Sequence, residues 1–339
     1  MEEKLFINDK IEFIDSLDRT FEKIPEDALF VVDKKLLTVT KELETFLTGK
    51  KTYLFEASEG NKNLVEVEKI YDFLLEYHIN QPLVAIGGGI TGDLAGYAAA
   101  TFKRGIPYIM IPTTLLSMCD SSVGGKCGVN FRGIKNYIGS FSKPVSILIC
   151  LEFLKTLEEQ ELKSGLGEIL KYGLIGDQKI LKELLSSGKD ISHLPMKRYI
   201  QSGLLIKSEV VQKDYKDQGL RNILNFGHNV GHAIESVLEG AVTHGEAVAL
   251  GLLAELTLSM MKFDLDPEIL NQVISVMEKY GLKRKLSGVD SNKLVEAMRK
   301  DKKNDENMRF TLLSEIEKPK IKMLVNEEEI LQALAVILE

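Results

Sequence analysis

The chain has no tryptophan, few cysteines and no long apolar run. A membrane-spanning helix needs about 20 consecutive apolar residues, so none is expected. The three cysteines, Cys119, Cys127 and Cys150, form no CxxC pair, which excludes a disulfide framework and predicts reduced thiols. Basic excess is also lacking. Lys and Arg number 43 against 50 Asp and Glu, a net charge of −7, so no basic stripe for nucleic acid is expected. Met1-Glu2-Glu3-Lys4 leads into no apolar segment with a cleavage site, which predicts no signal peptide and a cytoplasmic protein without a membrane partner. A Walker-type phosphate loop is missing too, because Gly124-Gly125-Lys126 is followed by Cys127 and has no upstream glycine.

What is present fills 339 residues, more than one core usually carries, so two domains are expected. Short apolar runs at 29–32, 52–55, 83–86, 108–111 and 145–149 read as strands. Helical stretches lie between them, at about 33–46, 64–77 and 94–102. Such alternation predicts a mostly parallel, Rossmann-like sheet in an α/β domain over 1–157. Beyond it, apolar periodicity predicts helices at 161–175, 197–213, 227–238, 245–262, 267–280 and 291–300, a hairpin at 310–324, and a last helix capped by Asn326 and Glu329. The reading is a mainly α-helical domain over 158–339, closely joined to the first, with the active site in the cleft between them.

Gly87-Gly88-Gly89-Ile90-Thr91-Gly92 matches G-x-G-x-x-G, follows a strand and opens a helix. Glycines let a backbone approach a pyrophosphate, and the helix start offers N–H groups. A tight turn without a ligand has the same pattern. The acid expected about 20 residues on is absent, since Ile111-Pro112-Thr113-Thr114 stands there.

Three of the five histidines, His228, His232 and His244, lie close together at two helix starts. His228 and His232 share a helix face at i and i+4, and the cluster favours a metal or catalysis over satisfied helix ends. Glu168, Glu235 and Glu246 are rivals for a carboxylate ligand, and spacing does not choose among them. Lys126, Lys135, Lys171, Lys207, Arg221, Lys302 and Lys303 sit in glycine-rich or apolar surroundings. Singly each reads as a surface cation, and together they suggest a cleft for a carboxylate or phosphate. Cys127, next to Lys126, is expected to have a lowered thiol pKa and to react with alkylating agents.

These segments resemble the dehydroquinate synthase family of sugar-phosphate cyclases. The likeness rests on Gly87 to Asp93, the run Ile111 to Leu116, Asp120 to Lys126, Leu224 to His228, Gly231 to Glu235 and His244 to Val248. It implies that NAD is held by Glu59, Lys62, Gly87, Gly88, Gly89, Gly92, Asp93, Thr113, Thr114, Lys126, Lys135 and the Phe153 to Thr156 segment. It implies a zinc or cobalt ion on Glu168, His228 and His244, and a substrate pocket of Asp120, Lys126, Asn136, Lys171, Lys207, Arg221, Asn225, His232 and Lys302 or Lys303. Arg104 is implied to reach the phosphate in the partner subunit of a homodimer. The implied reaction turns 3-deoxy-D-arabino-heptulosonate 7-phosphate into 3-dehydroquinate and phosphate by transient oxidation, elimination, re-reduction and intramolecular aldol closure. Cys127, Cys150 and Asp217 stand where the family usually has threonine, aspartate and glutamate. Another cyclase making an amino-dehydroquinate, a valiolone or a deoxy-inosose would share the metal and NAD sites. A glycerol- or alcohol-type dehydrogenase would have no need of Gly124-Gly125-Lys126, and a binding module without enzymatic activity is a third reading.

Overall fold

The computed structural model describes residues 3–7, 9–78, 81–301 and 308–339, so Lys302 and Lys303 lie outside the described residues. The chain divides into two compact units, Met1–Glu158 and Glu159–Glu339. In the first unit the strands are β1 (Glu3–Ile7), β2 (Asp9–Ile14), β3 (Leu29–Asp33), β4 (Thr52–Phe55), β5 (Leu83–Gly87), β6 (Tyr108–Pro112), β7 (Lys126–Phe131), β8 (Ile134–Phe141) and β9 (Ser146–Cys150). Seven of them form one sheet in the order β1-β2-β9-β6-β5-β3-β4, and only β1 runs antiparallel to its neighbour.

The sheet explains the apolar runs. Phe30 to Val32 and Leu83 to Ile86 are fully buried, as expected of central parallel strands covered on both faces. The chain first moves outward from β3 to β4. It then returns past β3 to β5 and continues through β6 towards β9. That reversal leaves a crevice at the carboxyl ends of β3 and β5, the usual ligand position in open parallel sheets. Gly87 ends β5 and pairs with Pro112, so the glycine turn lies beside Thr113, whose N–H donates to the Gly87 carbonyl at 3.0 Å.

Several elements differ from expectation. The stretch at 33–46 is two helices, Lys35–Val39 and Lys41–Leu47, broken at Thr40, where φ is −135°. The small-residue helix begins at Gly89 rather than at 94. The β7–β8 hairpin was not expected, because KCGVNF and IKNYIGSF mix glycine and polar residues and show no clean alternation. Its turn is Arg132-Gly133, and both residues have positive φ, as a two-residue hairpin turn requires.

In the second unit, helices at Glu159–Ile175, Gln178–Ser186, Met196–Lys213, His228–Leu238, His244–Phe263, Pro267–Lys279, Ser291–Asp301 and Glu327–Leu334 accompany a hairpin of β10 (Met308–Glu315) and β11 (Lys318–Val325). Only Gln178–Ser186 was unforeseen. The His244–Phe263 helix is the hub, buried at every position from Gly245 to Leu256. Among the described residues no helix is long and apolar enough to cross a membrane.

Candidate functional site

In the second unit Glu168 is fully buried, with its carboxylate at the centre of three partners. Its Oε1 lies 3.2 Å from His228 Nε2 and 3.2 Å from His244 Nε2, and its Oε2 lies 2.5 Å from Lys171 Nζ. Glycine crossings bring these groups together. A Cβ on Gly245 would meet the Ser164 carbonyl oxygen at 1.6 Å, and one on Gly167 would meet the Gly245 carbonyl oxygen at 2.1 Å. The Glu159–Ile175 and His244–Phe263 helices therefore touch backbone to backbone, next to Glu168 and at His244. Gly231 lets the His228–Leu238 helix approach the His244–Phe263 helix closely, since a Cβ there would meet the Ala247 carbonyl oxygen at 3.1 Å.

Both imidazoles are oriented from behind. His228 Nδ1 lies 3.2 Å from the Phe226 carbonyl, and His244 Nδ1 lies 2.9 Å from Glu235 Oε2. Each Nδ1–H donates backward, so each Nε2 faces Glu168 Oε1: protonated, it donates to that oxygen, and deprotonated, it can offer its lone pair to an ion held there, as a metal-binding histidine must. Burial opposes the charge on Glu168, yet Lys171, His228 and His244 outweigh it and hold the carboxyl well below its ordinary pKa. Burial pushes His228 down to about 4, which leaves a neutral ligand. For His244 burial acts downward, but hydrogen bonds to Glu168 and Glu235 raise it to about 10.

One buried carboxylate oxygen, the neutral His228 imidazole and the His244 imidazole, which must release its Nε2 proton on binding, form a donor set suited to a divalent ion with an open position. His232, Glu235 and His244 also come close enough to share an ion, but His232 is exposed and Glu235 already orients His244. Of the three rival acids, Glu168 thus has the ligand geometry. Glu246 closes a capping box with Thr243 at the start of the His244 helix. Glu235 lies behind His244 as its hydrogen-bond partner. The i,i+4 spacing within the histidine motif gave no sign that it would partner His244, nine residues away.

Other expected pocket residues of this unit are distributed nearby in the chain. Lys207 and Arg221 are buried, and Arg221 NH1 donates to the Tyr215 carbonyl at 3.2 Å. Asn225 donates to Asn222 Oδ1 at 3.1 Å, and the His232 ring lies 5.4 Å from that of His228. Asp214 was not singled out from the sequence. It accepts from the backbone of Gln218, Gly219 and Arg221 and so shapes the turn that delivers Arg221.

In the first unit a second group of expected residues converges. Lys62, itself buried, places Nζ 2.5 Å from Asp93 Oδ2 and 2.6 Å from Asn136 Oδ1. Glu59 accepts from Asn130, whose own Oδ1 accepts the Asn136 N–H. Asn136 has φ +52°, a left-handed conformation imposed within β8. Gly88 precedes the Gly89–Thr101 helix, and no side chain caps that helix start. A Cβ on Gly88 would meet the Thr114 methyl at 3.0 Å and one on Gly89 the Ser121 hydroxyl at 3.1 Å. An uncapped helix start with glycine-only clearance suits a pyrophosphate. Gly89, Gly92, Asp93, Tyr108, Ser121, Gly125 and Lys126 line a narrow cleft there, and Gly124 and Gly125 both have positive φ. Asp120 lies in a wide π-type turn, Ser117–Ser121. Lys126 and Lys135 are exposed on the β7–β8 hairpin.

Phe153 is fully buried, and its carbonyl accepts from Thr156 Oγ1 at 2.8 Å. Cys127 is buried, and burial, with Asp93 adding to it, raises its thiol to about 11. The neighbouring Lys126 therefore does not activate it. Arg104 is exposed and lies in a run of left-handed residues, Lys103 at φ 49°, Arg104 at 68° and Gly105 at 122°.

The fold is that of several solved cyclases. A 2-deoxy-scyllo-inosose synthase, solved with carbaglucose-6-phosphate, NAD+ and Co2+, superposes with a TM-score of 0.85 at 23% identity, covering 98% of this chain and 99% of that one. A 2-epi-5-epi-valiolone synthase from Streptomyces hygroscopicus subsp. jinggangensis, solved with NAD+ and Zn2+, gives 0.81 at 26% identity, covering 98% and 97%. Within that class, the family models for the 3-dehydroquinate synthase N-terminal and C-terminal regions match residues 52–164 and 165–304. The 3-dehydroquinate synthase of Clostridium tetani is 42% identical over 333 residues, 95% of this chain and 89% of that protein. The chain belongs to the 3-dehydroquinate synthase family.

Proposed function

We propose that the chain is a cytoplasmic, homodimeric carbon–oxygen lyase that converts 3-deoxy-D-arabino-heptulosonate 7-phosphate to 3-dehydroquinate and phosphate, a step of the shikimate pathway to chorismate and the aromatic amino acids. The observation that carries this reading is the buried Glu168 oxygen shared by His228 and His244, with Lys171 on the other oxygen. Bound NAD would take up and return a hydride, and a divalent ion, zinc or cobalt, would polarise the hydroxyl that loses it.

The residues divide the work by chemistry. Glu168, His228 and His244 hold the ion, and Glu235 and the Phe226 carbonyl keep the two rings turned to it. Lys171 balances the remaining charge of Glu168. Lys207 and Arg221 are buried cations suited to a carboxylate or phosphate. Asn225, His232, Asp120, Lys126, Asn136 and one of Lys302 and Lys303 complete the substrate contacts. Gly87, Gly88, Gly89 and Gly92 receive the cofactor pyrophosphate, Glu59 and Lys62 its ribose, and Asp93, Thr113, Thr114, Lys126, Lys135, Phe153 and Thr156 its remaining contacts. The left-handed backbone at Lys103 to Gly105 projects Arg104 outward, which supports a role at the phosphate of the partner subunit's site.

The test is phosphate release from 3-deoxy-D-arabino-heptulosonate 7-phosphate. Phosphate should appear in many-fold excess over added NAD, stop on chelation of the metal, and leave no nicotinamide absorbance behind. NADH accumulating one for one with product would overturn the reading in favour of a dehydrogenase.

A further inference from the structure

The His228–Leu238 helix starts without a side chain of its own to cap it. Its N-cap is Gly227, at φ 81°. A Cβ there would meet Leu252 Cδ2 at 2.7 Å and the Val248 carbonyl oxygen at 3.0 Å, so serine, aspartate or threonine has no room. The first N–H groups of a helix still need acceptors. Glu255, fully buried on the His244–Phe263 helix, supplies them. Its Oε2 accepts from Gly227 N at 2.7 Å, and its Oε1 accepts from Asn229 N at 3.0 Å and Val230 N at 3.3 Å.

His228 sits between those bonded amides. The peptides at 227 and 229 are tied to one carboxylate, and the imidazole is tied through Nδ1 to the Phe226 carbonyl. A Cβ on Gly251 would meet the Gly227 carbonyl oxygen at 1.9 Å, so the same helix also presses on this turn. The His244–Phe263 helix thus carries one proposed ligand, His244, and grips the turn that carries the other. Its own backbone is tied down in turn, because Ser259 Oγ donates to the Glu255 carbonyl at 2.7 Å and accepts from Leu313 N at 2.9 Å.

We infer that Glu255 is a positioning residue for the metal centre: its buried carboxylate, by binding the amides on both sides of His228, sets the place of that imidazole relative to Glu168 and His244. The inference rests on the metal reading given above. It predicts that Glu255→Gln weakens metal binding. An amide can present only one oxygen to the three donors, and its NH2 would face an N–H. Loss of such supporting bonds lowers metal affinity by about tenfold to a hundredfold.

The experiment loads the full-length protein with Co(II) and measures the metal dissociation constant and the visible Co(II) spectrum, well below the melting temperature. Glu255→Gln should raise the dissociation constant at least about tenfold and shift the Co(II) bands, with NAD affinity unchanged. Tyr280→Phe, which removes a buried hydroxyl that donates to the Leu184 and Gly188 carbonyls at 3.0 Å, should lower the melting temperature and leave both metal readouts as in the parent. Glu255→Asp keeps the charge but withdraws it by one carbon. It should fall between parent and Glu255→Gln, and it serves as the reporter if Glu255→Gln is insoluble. A parental dissociation constant and spectrum in either soluble Glu255 variant overturns the inference. So does an equal loss in Tyr280→Phe, which would make the effect one of general stability. If the parent itself binds no Co(II), or His228→Ala binds it unchanged, the metal reading fails instead.

Discussion

A carboxylate shut away from water needs neighbouring positive charge, and Glu168 has it from Lys171 on one oxygen and from the His244 imidazole on the other. Removing one member of such a buried pair costs about 3 kcal/mol or more, because the other charge is stranded. Lys171→Met should therefore lower the stability of the metal-free protein by about that amount. Added zinc should recover much of the loss, since the ion takes over the neutralisation of Glu168. Denaturant melts with and without zinc measure this, and a deficit that zinc does not change would remove Glu168 from the ligand set. Cys127 makes the opposite point about neighbours. Adjacent Lys126 suggested an activated thiol, but burial governs and the thiol is raised to about 11. Native protein treated with iodoacetamide at pH 8 should keep Cys127 unmodified and its activity intact, as peptide mapping would show. The unfolded thiol, with an ordinary value of 9.0, loses its proton first. The Cys127 contribution to stability is thus complete below pH 9 and declines as pH rises towards 11. A stability flat across that window in the parent, when compared with Cys127→Ser, would contradict it.

At the scale of elements, the centre depends on how closely three helices cross. Helical periodicity predicted each of them within a few residues, and His228 and His232 were legible as one face. The crossings were not legible, because a glycine in a sequence looks the same whether it faces solvent or another backbone. Gly245 and Gly188 illustrate the difference. A Cβ on Gly245 would strike the Ser164 carbonyl, whereas one on Gly188 meets nothing within 4 Å. Gly245→Ala should cost about 3 kcal/mol, the upper range for overpacking, and should release metal by parting Glu168 from His244. Gly188→Ala should be neutral or stabilise by up to about 1 kcal/mol through the unfolded state. Thermal melts together with metal content test the pair. Equal effects of the two substitutions would mean that the crossing does not hold the centre together.

For the whole molecule, the sharpest expectation concerns Arg104. If it serves the partner subunit's site, Arg104→Ala and His228→Ala proteins are each inactive alone, yet a mixed dimer keeps one complete site: the metal residues of the Arg104→Ala subunit and the arginine of the other. Activity should return when the two are mixed under conditions that allow subunit exchange. Verified mixed dimers that stay inactive would show that Arg104 does not act across an interface. Arg104→Lys should also weaken substrate binding, because an ammonium does not reproduce the bidentate contact of guanidinium with phosphate.

Sequence by itself determined the parallel sheet, the order of strands and helices around the glycine turn, the family and the residue types, Glu168, His228 and His244 among them, that the fold brings together. These are local or motif-borne features: buried central strands must be continuously apolar, helices must repeat, and ligands must be of the right residue type. The tertiary structure alone decided the rest. It placed Glu235 behind His244, Glu255 under the His228 turn, Asn136 against Lys62, and the Cys127 thiol out of reach of water. Each of these joins residues far apart in the chain through a burial or a backbone crossing, and neither leaves a period or a spacing that can be read along one strand of sequence.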